Sequence, residues 1–273
     1  MTSVGKPVVV ITGAAAGIGA AIASALAPDA RAVALWDRSA DVHRVARELG
    51  GTTTTSIVSG EVDVTDGAAV SESFDRLSVE FGLADVVVHA AGIMLPGAAL
   101  DTSAEDWTRS LAVNATGTMN VAQRAARDMV AAGHGSIVVV SSNAATTPRV
   151  GMAAYSASKA AATAFTRALA LQVAPYGVRV NLVSPGSTDT AMLRGLYTTR
   201  GTESSHVGEP RLPDSALAAL IDGDPDSYRL GIPLRRIAVP ADIAAAVRFL
   251  VSDDARHITM HDLRVDGGAT LDM

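Results

Sequence analysis

Short runs of β-branched residues alternate along the chain with longer, alanine-rich stretches. The runs contain few polar residues, which is typical of strands buried on both faces of a parallel sheet. The stretches between them have the length and apolar spacing of helices. The pattern predicts strands at 8–11, 32–36, 56–64, 86–89, 137–140, 178–183 and 263–265, and helices near 18–26, 40–49, 68–81, 103–132, 155–174 and 241–251.

This alternation predicts an α/β fold, with a single Rossmann-type doubly wound parallel sheet of about seven strands and helices on both faces. The chain has 273 residues and no Pro- or Ser-rich linker, so we expect one domain over residues 1–273. Residues 190–238 interrupt the alternation with clustered glycines and prolines. Because they follow the sixth predicted strand, we expect an irregular insertion at the carboxyl edge of the sheet, where ligands bind in such folds.

The charge balance disfavours a nucleic-acid partner, because 22 basic and 28 acidic residues give a net charge of −6. There is no cysteine, and the six histidines are scattered without a metal-binding motif, so we expect no metal. The uncharged segment 7–28 is long enough for a membrane span. Three glycines, however, divide it into a β-branched run and an alanine-rich run, so we expect a cytoplasmic protein with no membrane segment.

These glycines, Gly13, Gly17 and Gly19, lie between the first predicted strand and the first predicted helix. Gly13 permits a tight turn, and the other two let a pyrophosphate approach the helix N-terminus, where free N–H groups and the helix dipole favour an anion. The spacing differs from the commoner G-x-G-x-x-G. A closely packed, glycine-rich helix is the alternative, but the strand–turn–helix context favours a nucleotide cofactor.

An acidic residue, Asp37, ends the second predicted strand. An acidic side chain at this place hydrogen-bonds the adenosine ribose of NAD and repels the extra phosphate of NADP. Arg38 complicates the prediction because an arginine can bind that phosphate. A role for Asp37 as a helix cap or turn residue is the alternative. We predict NAD as the cofactor.

Tyr155 and Lys159 are four residues apart in a predicted helix and therefore share one face. We expect the lysine to lower the pKa of the tyrosine from its usual value of about 10, which makes a usable general base. The alternative is that Tyr155 and Lys159 are an ordinary pair of surface residues on one helix face. Ser142 ends the fifth predicted strand at the same edge of the sheet, and Asn114 lies in a helical stretch that asparagine does not favour.

Together these motifs resemble the short-chain dehydrogenases/reductases, in the same order and over nearly the whole chain. One departure is His89, where the family usually has asparagine, and we expect it to lose a structural side-chain contact. The resemblance implies a dinucleotide-binding catalytic domain and a homotetramer. The motifs that carry it are Thr12–Gly19, Asp63-Val64, Ala90-Ala91-Gly92, Asn114, Ser142, Tyr155-x-x-x-Lys159 and Pro185-Gly186.

By this resemblance, Ser142 polarises the substrate oxygen, Tyr155 transfers the proton, and Lys159 binds the nicotinamide ribose and tunes Tyr155. Asn114 is expected to hold a water molecule that connects Lys159 to solvent. Tyr155 and Lys159 also belong to the expected cofactor contacts. The other expected cofactor contacts are Gly13, Gly17, Ile18, Gly19, Asp37, Asp63, Val64, Ala90, Ala91, Gly92, Pro185, Gly186 and Thr188.

Further segments resemble family members that oxidise a dihydrodiol carboxylic acid, and we expect such a small-molecule substrate. Arg149 lies on the loop before Tyr155, so we expect its guanidinium to bind the carboxylate, with Arg194 as the alternative. The expected substrate contacts are therefore Ser142, Arg149 and Tyr155. The segments that carry this resemblance are 146–155, 184–190, 230–234, 257–259 and 265–268.

The sequence leaves two alternative functions to consider. A reductase of the same family that acts on an oxoacyl thioester would prefer NADPH, which Asp37 opposes. A non-catalytic NAD-binding sensor on the same fold would not need the set formed by Asn114, Ser142, Tyr155 and Lys159, which is complete here.

Overall fold

The β-branched runs form strands because valine and isoleucine pack well on a pleated surface. The computed structural model describes residues 5–197 and 211–271. The third strand ends at Glu61 and not at 64, because Asp63 accepts hydrogen bonds from Thr65 and forms a turn. The strands are β1 (Val8–Thr12), β2 (Ala32–Asp37), β3 (Ser56–Glu61), β4 (Val86–His89), β5 (Gly135–Val140), β6 (Val178–Pro185), β7 (Gly223–Asp224), β8 (Arg229–Leu230) and β9 (Asp262–Val265).

Seven of these strands form one parallel sheet in the order β3-β2-β1-β4-β5-β6-β9, which confirms the predicted fold class. β1 pairs with both β2 and β4, and the chain reverses its direction across the sheet at this point. Such a reversal leaves a crevice outside the carboxyl ends of the two central strands, where ligands bind in open α/β sheets. Thr12 and His89 are the paired residues at this edge.

Helices cover both faces of the sheet. They are α1 (Gly17–Leu26), α2 (Asp41–Gly50), α3 (Gly67–Phe81), α4 (Ala104–Leu111), α5 (Gly117–Ala132), α6 (Ala153–Val173), α7 (Ala191–Tyr197), α8 (Asp214–Asp222) and α9 (Pro240–Val251). The apolar faces of α3, α5 and α6 are buried on one side of the sheet, and those of α1, α2 and α9 on the other. Within the described residues, no helix is both long enough and apolar enough to cross a membrane.

A π-helical segment at Ala112–Thr116 separates α4 from α5, where the sequence predicted one helix over 103–132. Asn114 lies in this segment and is buried. Its Oδ1 accepts a hydrogen bond from Ile93 N, and its Nδ2 donates to Ile93 O, both at 2.9 Å. The widened turn therefore fixes the loop that follows β4, in keeping with the frequent occurrence of π-turns at functional sites.

The insertion at 190–238 is more regular than the sequence predicted. It contains α7, α8 and an antiparallel hairpin formed by β7 and β8, while residues 198–210 lie outside the described part of the chain. The prediction of irregular structure was wrong because proline and glycine lie at the two ends of α8 and not within it. Pro213 precedes its first residue, and Gly223, with a φ of +92°, follows its last.

His89 is buried at the end of β4, with 1% of its surface exposed. Its Nδ1 lies 2.8 Å from Thr12 Oγ1, which accepts a hydrogen bond from Ala91 N, so His89 makes a side-chain contact of its own. Burial, and to a lesser extent the charge of Lys159, lowers the pKa of His89 from 6.5 to about 3. The imidazole therefore stays neutral near physiological pH.

Substituting His89→Asn should weaken the acid dependence of stability. Between about pH 6.5 and pH 3, the unfolded wild-type chain holds a proton on His89 and the folded chain does not, so the free energy of unfolding falls as pH drops. The slope is about 1.4 kcal/mol per pH unit. Urea unfolding at two pH values measures this. From about pH 8 to about pH 5, the free energy of unfolding should fall by about 2 kcal/mol more in the wild type than in the variant. Equal falls would contradict a buried, neutral His89.

Candidate active site

The turn between β1 and α1 brings its backbone close to the loop after β4. Gly13 has a φ of +69°, and a Cβ there would lie 2.6 Å from Ala91 N. A Cβ at Gly19 would lie 2.1 Å from the carbonyl oxygen of Gly13. Side chains at either position would collide with backbone, so the glycines permit the close approach that a phosphate-binding turn requires.

The N-terminus of α1 is open to an anion. No side chain caps it, and its first turn contains no acidic residue, so its first N–H groups remain available. They border a cavity of about 350 Å³. Sequence-predicted cofactor residues surround this cavity, and they are Gly13, Gly17, Ile18, Gly19, Asp37, Asp63, Val64, Ala90, Ala91 and Gly92.

Asp37 is fixed at the wall of this cavity by two backbone hydrogen bonds. Its Oδ2 accepts from Ala15 N at 3.1 Å, and its Oδ1 accepts from Ser39 N at 2.9 Å. The residue therefore forms a turn, as one reading of the sequence proposed, and lines the cavity at the same time. A carboxylate has about four acceptor sites, so capacity remains for the hydroxyls of a ribose.

A second cavity, of about 430 Å³, adjoins the first. Ile18, Ala90 and Gly92 line both, so the two form one continuous cleft along the carboxyl edge of the sheet. The remaining sequence-predicted residues that line the second cavity are Ser142, Arg149, Tyr155, Lys159, Pro185, Gly186 and Thr188.

Tyr155 and Lys159 are adjacent on the first turns of α6, and both side chains are buried. The hydroxyl of Ser142, which follows β5, accepts a hydrogen bond from Ala144 N at 3.1 Å and lies near enough to the phenol of Tyr155 to favour its charged form. The hydroxyl of the neighbouring Ser141 lies 2.7 Å from Thr163 Oγ1. Ser142 is therefore the hydroxyl of this pair that faces a ligand together with the phenol.

Lys159 holds a positive charge in the protein interior. Its Nζ donates to the carbonyl oxygen of Val140 at 2.9 Å, and no carboxylate in the described ranges lies within ion-pair distance of it. Burial lowers the pKa of Lys159 from 10.5 to about 8. A Cβ at Gly92 would lie 3.3 Å from Nζ, so this glycine leaves the ammonium room at the cleft.

The structure contradicts one expectation for Tyr155. Burial raises the pKa of its phenol above the usual value of 10, and the nearby hydroxyl of Ser142 offsets this only in part. A net lowering does not occur because removing a phenolate from water is costly, and this cost exceeds the effects that favour the charged form. A further positive charge bound in the cleft would favour the phenolate.

Asn114 uses its side chain to position other groups. In addition to its bonds with Ile93, Nδ2 donates to Ser158 Oγ at 2.9 Å. Both hydrogens of Nδ2 are therefore used. A water that connects Asn114 to Lys159 would have to donate to Oδ1 or to the backbone carbonyl, so this expected role stays a prediction.

The structure separates the two arginines that the sequence proposed for a substrate carboxylate. Arg149 lines the second cavity, whereas Arg194 is not part of its lining and pairs with Asp189 at 2.8 Å. A third arginine, Arg229 on β8, also lines the cavity and was missed. The sequence offered no signal for it because the two-residue strands of this hairpin are too short for a period-two pattern.

The cleft therefore combines the groups needed for proton transfer to or from an alcohol. A buried phenol, a serine hydroxyl and a buried ammonium line one cavity, and an open helix N-terminus lines the other. Such an arrangement suits a redox reaction in which an organic cofactor carries the electrons and the protein positions the substrate and moves the proton.

Two family models match the chain. The model described as short chain dehydrogenase matches residues 7–201, and the model described as Enoyl-(Acyl carrier protein) reductase matches residues 215–270.

Similar proteins agree with this family. The 2,3-dihydro-2,3-dihydroxybenzoate dehydrogenase of Bacillus subtilis (strain 168) is 41% identical over 262 residues, which are 96% of this chain and 95% of the relative. The vibriobactin-specific 2,3-dihydro-2,3-dihydroxybenzoate dehydrogenase of Vibrio cholerae is 44% identical over 212 residues, or 78% and 76% of the two chains. The solved structure of a 7 alpha-hydroxysteroid dehydrogenase complexed with NADH and 7-oxo glycochenodeoxycholic acid matches with a TM-score of 0.83 at 28% identity, covering 97% of this chain and 94% of that one.

Proposed function

The chain belongs to the short-chain dehydrogenase family, and we propose that it oxidises 2,3-dihydro-2,3-dihydroxybenzoate to 2,3-dihydroxybenzoate with NAD, a step toward catecholate siderophores. The observation that carries this proposal is the buried set of Ser142, Tyr155 and Lys159 in the second cavity, in a chain that is 41% identical to a dehydrogenase of this name over 96% of its length. The reaction converts dihydrodiol and NAD⁺ into catechol acid, NADH and a proton.

NAD fits the residues of the first cavity. The open N-terminus of α1 and the glycine turn hold its pyrophosphate, and Asp37 holds the adenosine ribose. Asp63 and Val64 border the adenine, and Lys159 binds the nicotinamide ribose. The cofactor bound there would supply the nicotinamide as hydride acceptor. The residues we place around the nicotinamide and the sugar next to it are Ala90, Ala91, Gly92, Tyr155, Pro185, Gly186 and Thr188.

The protein's own groups handle the proton and the developing carbonyl. Tyr155, as a phenolate, removes the proton from the C3 hydroxyl of the substrate. Ser142 hydrogen-bonds the same oxygen and stabilises it as it becomes a carbonyl. Lys159 favours the phenolate through its charge, and Asn114 positions the loop that faces it. The product is a cyclohexadienone that tautomerises to the aromatic catechol, which makes the reaction effectively one-way.

We assign Arg149 to bind the carboxylate of the substrate. This guanidinium lines the cavity that holds Tyr155, and no ion pair of it occurs in the described ranges.

We also assign the protein to the cytoplasm as a homotetramer, following the resemblance to its family. The alternative of an oxoacyl thioester reductase is not favoured, because Asp37 opposes the extra phosphate of NADP.

Turnover of the dihydrodiol tests the function directly. Incubation with NAD should yield NADH and 2,3-dihydroxybenzoate in equal amounts, and NADH with the catechol acid should give no measurable reverse reaction. Tyr155→Phe is the matched control. It removes the oxygen that transfers the proton and leaves the other cofactor contacts in place, so turnover should fall by about 10²–10⁴-fold while NAD still binds. Turnover of a ketone or oxoacyl substrate without turnover of the dihydrodiol would contradict the proposal.

Asp37 should determine the choice of NAD over NADP. Hydrogen bonds to a charged group contribute about 1.5–3 kcal/mol, so the carboxylate should give about tenfold or greater preference in kcat/KM for NAD. Asp37→Asn keeps the turn but removes the charge, and should reduce this preference. Asp41→Asn, which removes a carboxylate lining the same cavity, should change it much less. Equal kcat/KM values for both cofactors in the wild type would exclude the assignment.

A further inference from the structure

Two arginines from different parts of the chain line the second cavity. Arg149 lies on the loop between β5 and α6, and Arg229 lies on β8 in the insertion. Tyr155 and Ser142 line the same cavity. The hairpin of β7 and β8 therefore brings a second guanidinium to the place where the sequence alone predicted one.

Arg229 is held in position by the loop that follows β6. Its Nη2 donates to Ser187 Oγ at 2.9 Å. A guanidinium has five N–H donors in a fixed plane, so one such bond orients the group and leaves other donors for a ligand. Asp224, which also lines the cavity, is engaged by Ser227 Oγ at 2.6 Å and is not within ion-pair distance of Arg229.

The positive charges of the two arginines act on one another. Burial has the largest effect in lowering the pKa of Arg149, the charge of Arg229 lowers it further, and Asp266 opposes both. In the described ranges, neither guanidinium forms an ion pair with a carboxylate. The charge of Asp224 acts on Arg229 as that of Asp266 acts on Arg149, but neither carboxylate lies within ion-pair distance of its arginine, so both half-buried cations can still bind an anion in the cavity.

We propose that Arg149 and Arg229 form a two-armed clamp for the carboxylate of the substrate, and that Ser187 positions the second arm. This inference rests on the proposed function. A planar carboxylate suits guanidinium groups because each presents parallel N–H donors. Apolar side chains complete the cavity and suit a ring, and these are Met94, Val150, Met152 and Leu193.

The clamp makes Arg229 a specificity-determining residue. Holding the carboxylate at two points fixes the ring in the cavity, so the C3 hydroxyl is presented to Tyr155 and Ser142. A neutral diol lacks this anchor and leaves both cations unpaired. The enzyme should therefore discriminate against dihydrodiols without a carboxylate, through KM more than through kcat.

Binding of the product and of its neutral analogue tests the clamp without turnover. 2,3-Dihydroxybenzoate and catechol share the ring and the hydroxyls, and differ in the carboxylate. Their affinities for the enzyme–NADH complex are to be measured for the wild type, Arg149→Met, Arg229→Met and the double variant. We expect the wild type to prefer the acid about tenfold or more, and each single variant to lose most of that preference with an unchanged affinity for catechol.

Three further measurements sharpen the result. Arg235→Met, which removes an exposed arginine of the same insertion that pairs with Asp222, should keep the full preference for the acid. Arg229→Lys should restore part of the preference, since it keeps the charge but not the planar fork. In turnover, the KM for the dihydrodiol should rise about tenfold or more in each single variant, with kcat changed much less.

Failure of the clamp and failure of the proposed function are distinguishable. If Arg229→Met keeps the wild-type preference for the acid while Arg149→Met loses it, the clamp is overturned and the function stands. If the dihydrodiol is not oxidised but the preference for the acid still depends on both arginines, the function fails and the clamp stands.

Discussion

Among the described residues, the buried ammonium of Lys159 has no carboxylate partner, and the groups around it have to accommodate its charge. Lys159 has 6% of its surface exposed and donates to one backbone carbonyl, that of Val140. Taking such a charge out of water is costly, which is why burial lowers its pKa to about 8. We propose that the protein keeps it because a positive charge one helical turn from Tyr155 favours the phenolate that alcohol oxidation needs. Gly92 leaves the ammonium room at the cleft, where the cofactor's sugar can share its charge.

The fold places this charge at the ligand crevice because segments of the backbone pack closely against each other there. The strand order reverses at the paired strands β1 and β4, and Gly13 lets the turn after β1 lie against the loop after β4. Asn114 then fixes that loop from the π-helical segment and bonds to Ser158 on α6. The cofactor cavity, the loop and the helix that carries Tyr155 and Lys159 are thus one connected unit.

The sequence predicted what depends on local pattern and regular spacing. The parallel sheet, the glycine turn and the i,i+4 relation of Tyr155 and Lys159 are of this kind, and the structure has the sheet and places these residues around the cleft. Features that depend on tertiary burial could not be predicted from the sequence. Burial reverses the expected pKa shift of Tyr155, and Arg229 reaches the cavity only because β7 and β8 form a hairpin. His89 contacts Thr12 because the two residues lie side by side at the ends of the paired strands β4 and β1.

We propose that Lys159 makes Tyr155 a usable base for oxidation of the dihydrodiol. The most direct measurement is the pH dependence of kcat at saturating NAD and substrate, for the wild type and for Lys159→Met. The phenolate is the reactive form, so kcat should rise with pH and level off above the apparent pKa of Tyr155 in the complex. Removing the positive charge should move this rise to higher pH by about one unit or more. A rise at the same pH in both enzymes would contradict the account.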